Sequence, residues 1–265
     1  MQRSGCGWAL AVICAVFVAA SPGATAAPIA AGTPRERIRL DTGWRFHQGD
    51  PDGAKGLDYD VRPRIERSAD GKDADARPDE AAKVQSHGER VLKPWILPTA
   101  NPLIGDPAKR HVRPAGDPGN DVAFVQATFD DGAWQRVTLP HDWAIAGPFL
   151  KDGPHGGMGR LKTWGPAWYR RTLDIPASDR GRSIFLDVDG AMSYATVWLN
   201  GRLVGGWPYG YNGWRGDLTP YMNHGGTNQL GIRLDNPPES ARWYPGAGLY
   251  RNVWLVKGAP LPVAH

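Results

Sequence analysis

The chain has 265 residues and a formal net charge of +4, with 34 Gly, 24 Pro and 12 Trp. Its basic residues are scattered: Arg35, Arg37 and Arg39 alternate with other residues and Arg170-Arg171 is an isolated pair, so no basic stripe with interleaved aromatics marks a nucleic-acid binder. Both cysteines, Cys6 and Cys14, lie in the N-terminal apolar segment, which removes thiolate metal sites and cysteine nucleophiles from the remainder.

That segment reads as a secretory signal peptide over residues 1–26. Arg3 precedes an apolar run, Trp8 to Ala20, too short to span a bilayer, and Ala24-Thr25-Ala26 supplies an A-x-A site with cleavage after Ala26. Ile13 before Cys14 is too bulky for a good lipidation site. The mature chain is therefore expected to be secreted or periplasmic, with no membrane association after cleavage. It uses no disulfide, and its length suffices to bury a full core without one.

Residues 36–49 read as an opening strand region, with Ile38 and Leu40, a turn at Asp41-Thr42-Gly43, then Trp44 and Phe46. Residues 50–120 are polar and proline-rich and read as a long loop-rich insertion, with a short helix near Glu80–Val84. Only Lys93-Pro94-Trp95-Ile96-Leu97-Pro98 in it looks able to pack. From Val122 the strand signals are dense. Val122, Phe124 and Gln126 alternate with Ala123, Val125 and Ala127, and a turn follows at 129–134. Trp168, Arg170 and Thr172 alternate with Tyr169, Arg171 and Leu173. Ile184, Leu186 and Val188 alternate with Phe185, Asp187 and Asp189, the two Asp forming a solvated face. Ala195, Val197 and Leu199 run into Asn200-Gly201, a strong hairpin signal. Leu230, Ile232 and Leu234 mark another strand. Residues 249–256 are the last, with Leu249, Arg251, Val253 and Leu255 on one face. With no sustained helical period after Val122, these elements predict an all-β sandwich or jelly roll, residues 27–265 forming one domain with the insertion after its first strands.

Several short motifs in order carry a resemblance: Leu139-Pro140-His141-Asp142-Trp143, Ala167-Trp168-Tyr169-Arg170-Arg171, Val197-Trp198-Leu199-Asn200-Gly201, Tyr209-Gly210-Tyr211, Asp217-Leu218-Thr219-Pro220-Tyr221, and Arg242-Trp243-Tyr244-Pro245-Gly246-Ala247-Gly248-Leu249-Tyr250-Arg251. Over roughly 130–256, with the Trp44-Arg45-Phe46 opening, the chain resembles the N-terminal sugar-binding domain of glycoside hydrolase family 2. The Asp142-Trp143 and Arg242-Trp243-Tyr244 pieces look most like its β-galactosidase branch. The resemblance implies a galactose-binding-domain-like β-sandwich that hydrolyses O-glycosyl bonds only when joined to an immunoglobulin-like domain and a (β/α)8 barrel. The barrel of this family carries two Glu residues in a retaining mechanism, a chemistry that needs carboxylates about 5 Å apart. After the signal the chain has only Glu36, Glu66, Glu80, Glu89 and Glu239, none in a barrel pattern, and it stops at His265, where the resemblance implies that the next domain begins. No catalytic residue, and no activity by this chain alone, is expected.

The candidate substrate-binding wall is Arg242, Trp243 and Tyr244 with Asp142 and Trp143: an Arg fork for sugar hydroxyls beside flat faces for sugar C–H surfaces. The partner is then a β-galactoside-like carbohydrate. The alternative is an autonomous carbohydrate-binding module or docking subunit, with Trp207, Tyr209, Tyr211 and Trp214 as an exposed aromatic platform. The plain reading of Asp142 is a loop-backbone acceptor, of Asp217 a local cap, and of Tyr250 and Trp254 core. The glycine-rich loop 153–159 neither follows a strand nor opens a helix, so it is no phosphate cradle. His residues are dispersed without ligand spacing, so no metal site and no cofactor are expected. The Mg and Na ions used by some family members imply ligands mostly outside this chain.

Overall fold

The computed structural model describes residues 35–54, 57, 104–110, 116–150, 161–236 and 246–259. Ten strands are described: β1 Glu36–Arg39, β2 Trp44–Gln48, β3 Gln135–Val137, β4 Gly165–Ile175, β5 Ser183–Val188, β6 Ala195–Leu199, β7 Arg202–Trp207, β8 Trp214–Asp217, β9 Gly226–Asn236 and β10 Val253–Gly258. They form two antiparallel sheets, a four-stranded one in the order β1-β10-β5-β8 and a six-stranded one in the order β3-β2-β4-β9-β6-β7. The described residues form an all-β sandwich, as the strand signals predict.

The main core lies between the sheets. Ile184, Leu186 and Val188 of β5 and Val253 and Leu255 of β10 meet Trp44, Phe46, Tyr169, Leu173, Val197, Leu230, Ile232 and Leu234 of the larger sheet. Period-two alternation puts these residues on the inner faces. Lys257 shares the inward row of β10, since it pairs with Ile184 as Leu255 pairs with Leu186. There it meets Asp179, Nζ to Oδ2 2.6 Å, and Asp179 also accepts from Arg182 at 3.0 Å. At the hairpin between β6 and β7, Asn200 and Gly201 adopt φ of 54° and 77°, the left-handed pair that a two-residue turn requires. Asn200 also donates to the Tyr221 carbonyl and to Asn228, and accepts from the Gln229 amide, tying the turn to β9.

A second, smaller core covers the outer face of the six-stranded sheet. Leu57, Val122, Phe124, Val125 and Trp134 pack there against Trp168, Trp198 and Leu203. The described ends of the 50–120 segment contribute to this core. Asp50 accepts from both Trp168 (2.7 Å) and the buried Arg233 (2.7 and 2.6 Å), and the Pro118 carbonyl accepts from the Trp198 indole at 2.8 Å. The short helix expected near 80–84 and the 93–98 run lie outside the described residues.

Four expectations are corrected. Residues 122–127 form no strand: Ala123–Val125 is a 3-10 turn, because Val125 and Gln126 bond back to Val122 and Ala123. Short alternation also suits a tight turn that drops Phe124 and Val125 onto a sheet. The last strand starts at Val253 rather than 249, since Gly248 and Leu249 are engaged by Met192 and His141. Leu249 is buried and Arg251 exposed, so the two share no face. Asp187 and Asp189 point outward but are paired. Asp187 takes the Arg215 fork at 2.6 and 2.8 Å, and Asp189 takes the Trp254 indole at 2.9 Å with Arg37 at 3.5 Å. Trp254 is accordingly half-buried beneath the Arg37 guanidinium (3.9 Å), and Tyr250 is half-buried with its hydroxyl on the Gly210 carbonyl, so neither is core.

Candidate functional site

Of the expected sugar-binding wall, Asp142 and Trp143 are described, and the segments flanking the remaining residues are tied to them. Arg242, Trp243 and Tyr244 lie outside the described residues, but both ends of their loop are placed. Asn236, the last residue of β9, donates through Nδ2 to the Gly246 carbonyl (2.9 Å) and to the Thr163 carbonyl (2.7 Å). Its Oδ1 accepts from Ser193 at 3.0 Å. Asn236 is 1% exposed, so these bonds satisfy an amide that burial would otherwise penalise. One side chain thus ties the end of β9 to Gly246, Thr163 and Ser193.

The returning segment is stitched to the Asp142 loop. His141 N–H donates to Leu249 and Trp143 N–H to Ala247, while Met192 and Gly248 exchange both backbone bonds. Gly248 has φ +123°, and a Cβ there would collide with the His141 carbonyl and the Tyr169 hydroxyl. A side chain at this position would break the stitching. The Asp142 loop and the 247–249 segment are thereby neighbours.

Within this loop the side chains divide their work. Asp142 Oδ1 accepts from the Ala144 and Ile145 amides (2.9 and 3.3 Å), the backbone role expected for it. No described residue claims Oδ2, and the residue is half-exposed. Trp143 is only 8% exposed; it stacks on Phe46 at 5.9 Å and belongs to the main core. Its indole supports the loop from beneath rather than offering a face to solvent. Ile145 and Phe149, further along, are 64% and 73% exposed.

His141 and Tyr169 form a polar pair that sequence reasoning did not anticipate. His141 Nδ1 lies 2.7 Å from the Tyr169 hydroxyl. Burial lowers the imidazole below its ordinary pKa, with the Asp142 charge pulling the other way. Burial likewise raises the Tyr169 phenol well above its ordinary range, against an opposing bond to the Leu249 backbone and with a smaller push from Asp142. Both groups are therefore neutral near pH 7. The phenol proton then goes to Nδ1, which assigns the Nε2–H tautomer to His141. The pair is a structural strut beneath the Asp142 loop. Its signal in the sequence is the alternation of β4, which sends Tyr169 inward.

The alternative platform is only partly gathered. Tyr209 is 52% exposed and its ring lies 5.4 Å from that of Tyr211, tilted by 57°. Trp207 and Trp214 are half-buried, on strands of different sheets, and Trp214 packs against the main core. Asp217 caps its own turn through the Thr219 amide at 2.9 Å. The loop 153–159 lies outside the described residues, and among the described residues no group of three or more His, Asp or Glu could hold a metal ion.

Fold and motif geometry together define a galactose-binding-like β-sandwich. Residues 157–245 match the family model described as glycosyl hydrolase 2 galactose-binding domain-like. This segment is thus similar to the galactose-binding-like domain of glycosyl hydrolase 2. It is 40% identical over 146 residues to a β-galactosidase, BoGH2A, of Bacteroides ovatus, the match covering 55% of this chain and 17% of that protein. It is 35% identical over 138 residues to a putative β-glucuronidase of Formosa agariphila, covering 52% and 13%. A family 2 glycosyl hydrolase of Bacteroides cellulosilyticus has the same fold at TM-score 0.55 and 24% identity, over 85% of this chain and 21% of the other. The chain thus spans less than a fifth of the curated relatives it matches.

Proposed function

We propose that this chain is the N-terminal carbohydrate-binding domain of a secreted glycoside hydrolase of β-galactosidase type. Residues 1–26 are its signal peptide and residues 27–265 its domain. Hydrolysis of the O-glycosyl bond belongs to a barrel in the same or a neighbouring chain, and this domain supplies a wall of the sugar pocket. The observation that supports the reading is the anchoring of the chain on either side of 237–245: Asn236 bonds the Gly246 carbonyl, and Ala247 and Leu249 are stitched to the Asp142 loop. Arg242 offers a fork of donors, Trp243 and Tyr244 offer flat faces, and Asp142 Oδ2 offers an acceptor, a set matched to sugar hydroxyls and C–H surfaces.

The test is kinetic. In the complex with a barrel partner, Arg242→Ala and Asp142→Asn should raise KM for a β-galactoside with a smaller effect on kcat, the signature of a binding wall. The isolated chain should show no turnover. Turnover by the isolated chain that is abolished by a substitution within it would overturn the reading. Exposure of Tyr209 beside Tyr211 favours a second reading, a module that binds glycans on its own; glycan binding lost in Tyr209→Ala would select it.

A further inference from the structure

A cleft of about 510 Å³ opens on the outer face of the six-stranded sheet, where β3, β2 and β4 lie side by side. Strand register places three guanidiniums in one row across it: Arg136 pairs with Arg45, and Arg45 with Arg170. Arg171 also lines the cleft. Like charges directly opposite on neighbouring strands are destabilising. Among the described residues the one carboxylate lining the cleft is Asp131, which accepts from Arg170 Nε at 2.8 Å and lies 3.9 Å from Arg45 Nε.

The four guanidiniums are not equivalent. Arg170 is 1% exposed and committed to Asp131 and to the carbonyls of Phe124, Gln126 and Phe129. It is the frame of the site. Arg45 is too far from Asp131 for a hydrogen bond. Arg171 spends its Nε on the Thr42 carbonyl at 2.7 Å, and burial lowers its pKa. Arg136 is exposed and bonded to no described residue. Arg171 registers with the core residue Trp44 and so belongs to the opposite face of the strand. Two forks of N–H donors, those of Arg45 and Arg136, therefore face the cleft side by side. A donor-rich, acceptor-poor cavity of this charge selects a ligand rich in acceptors.

We propose that this cleft is an oxyanion-binding site, taking a carboxylate or sulfate group between Arg45 and Arg136. Its volume exceeds what a bare ion fills and falls in the range of small-molecule sites. The exposed hydroxyl of Thr138 at its rim suits the hydroxyl of an acidic sugar. The site is on the outer face of the sheet, is built from residues other than Asp142 and the Arg242 loop, and does not rest on the galactoside reading.

The test is calorimetric titration of the full chain at low salt with D-galacturonate, D-galactose and sodium sulfate. Galacturonate and galactose differ only in the C6 carboxylate. Galacturonate and sulfate should compete for one site, and galactose should not displace them. Arg136→Ala and Arg45→Ala should each weaken galacturonate at least about tenfold, with Arg136→Lys intermediate because the fork is lost. Arg136 is bonded to no described residue, so its variant should unfold at the wild-type temperature, which separates binding from folding. Galacturonate binding about fivefold or more tighter than sulfate assigns the anion to a sugar, and equal binding assigns a free ion; the oxyanion site stands in either case. Galactose binding as tightly as galacturonate, no anion binding at about 10 mM, or binding unmoved by both alanine variants would overturn it. Asp142→Asn should leave anion binding unchanged, so failure here and failure of the galactoside reading are separable.

Discussion

Replacing Asp179 by alanine should destabilise the domain more than any comparable surface change. Asp179 is 4% exposed and holds Lys257 Nζ at 2.6 Å and Arg182 at 3.0 Å. Arg182 keeps Glu36 at 2.5 Å, but Lys257 is itself 6% exposed and loses its carboxylate. Removing one partner of a buried pair costs about 3–5 kcal/mol, because the remaining charge is left desolvated. With a denaturant slope near 2.5 kcal/mol per M, urea unfolding should shift by about 1.5 M. The double variant Asp179→Leu with Lys257→Met removes both charges and should recover to within about 1 kcal/mol of wild type. A pH arm adds an independent check. Burial alone would raise the Asp179 carboxyl, but the bonds and charges of Lys257 and Arg182 together hold it below the usual carboxylate range. Its stabilisation is therefore complete above the unfolded pKa of about 3.9 and is lost as pH falls through the lower folded value. The difference between wild type and Asp179→Ala should shrink accordingly on acidification. A single-variant shift below about 0.3 M, or a double variant no better than the single, would refute the reasoning.

Other outcomes follow from the same contacts. Gly248→Ala should cost about 2–4 kcal/mol, read by urea unfolding, since its φ of +123° and the His141 carbonyl both reject a Cβ. Asn200→Gly keeps the turn but removes three side-chain bonds to Tyr221, Asn228 and Gln229; a loss of about 2 kcal/mol is expected, and Asn200→Ala should lose more. Asp50→Asn should destabilise by about 2 kcal/mol and increase amide exchange in β4 and β9, because Arg233 loses an ionic partner. His141 titrates below its ordinary value when folded, so the unfolded chain binds the extra proton first. Its contribution should be full above pH of about 6.5 and decline below it, and His141→Gln should flatten that part of the stability profile.

Much of the sandwich is legible because its strands each bury one face. Ile184, Leu186 and Val188 alternate cleanly, and Asn200-Gly201 announces its turn because few other residues tolerate that backbone. The covering segment is not legible in this way. Val122, Phe124, Val125 and Trp134 reach the sheet from turns, whose packing follows no period. Asp50 shows the same limit: nothing in an acidic, proline-rich stretch reveals a buried Arg233 far along the chain. At the candidate site the neighbourhood of Asp142 and the Arg242 loop is implied by motif order, whereas the core burial of Trp143 depends on Phe46 lying opposite. The strut of His141 and Tyr169 and the clasp of Asn236 are long-range pairings that only the folded chain displays. The basic row of Arg136, Arg45 and Arg170 escaped a search for charge runs because it runs across strands rather than along one.

The clasp of Asn236 on Gly246 also makes the loop between them a separable cassette. Its two anchors are joined by a side-chain amide and a carbonyl, which ties the end of β9 to the segment that Gly248 stitches to Met192. Sequence and length can change there while the scaffold keeps its shape. Transplanting residues 237–245 between sandwiches that keep such an asparagine is then a direct route to altering which sugar the wall receives.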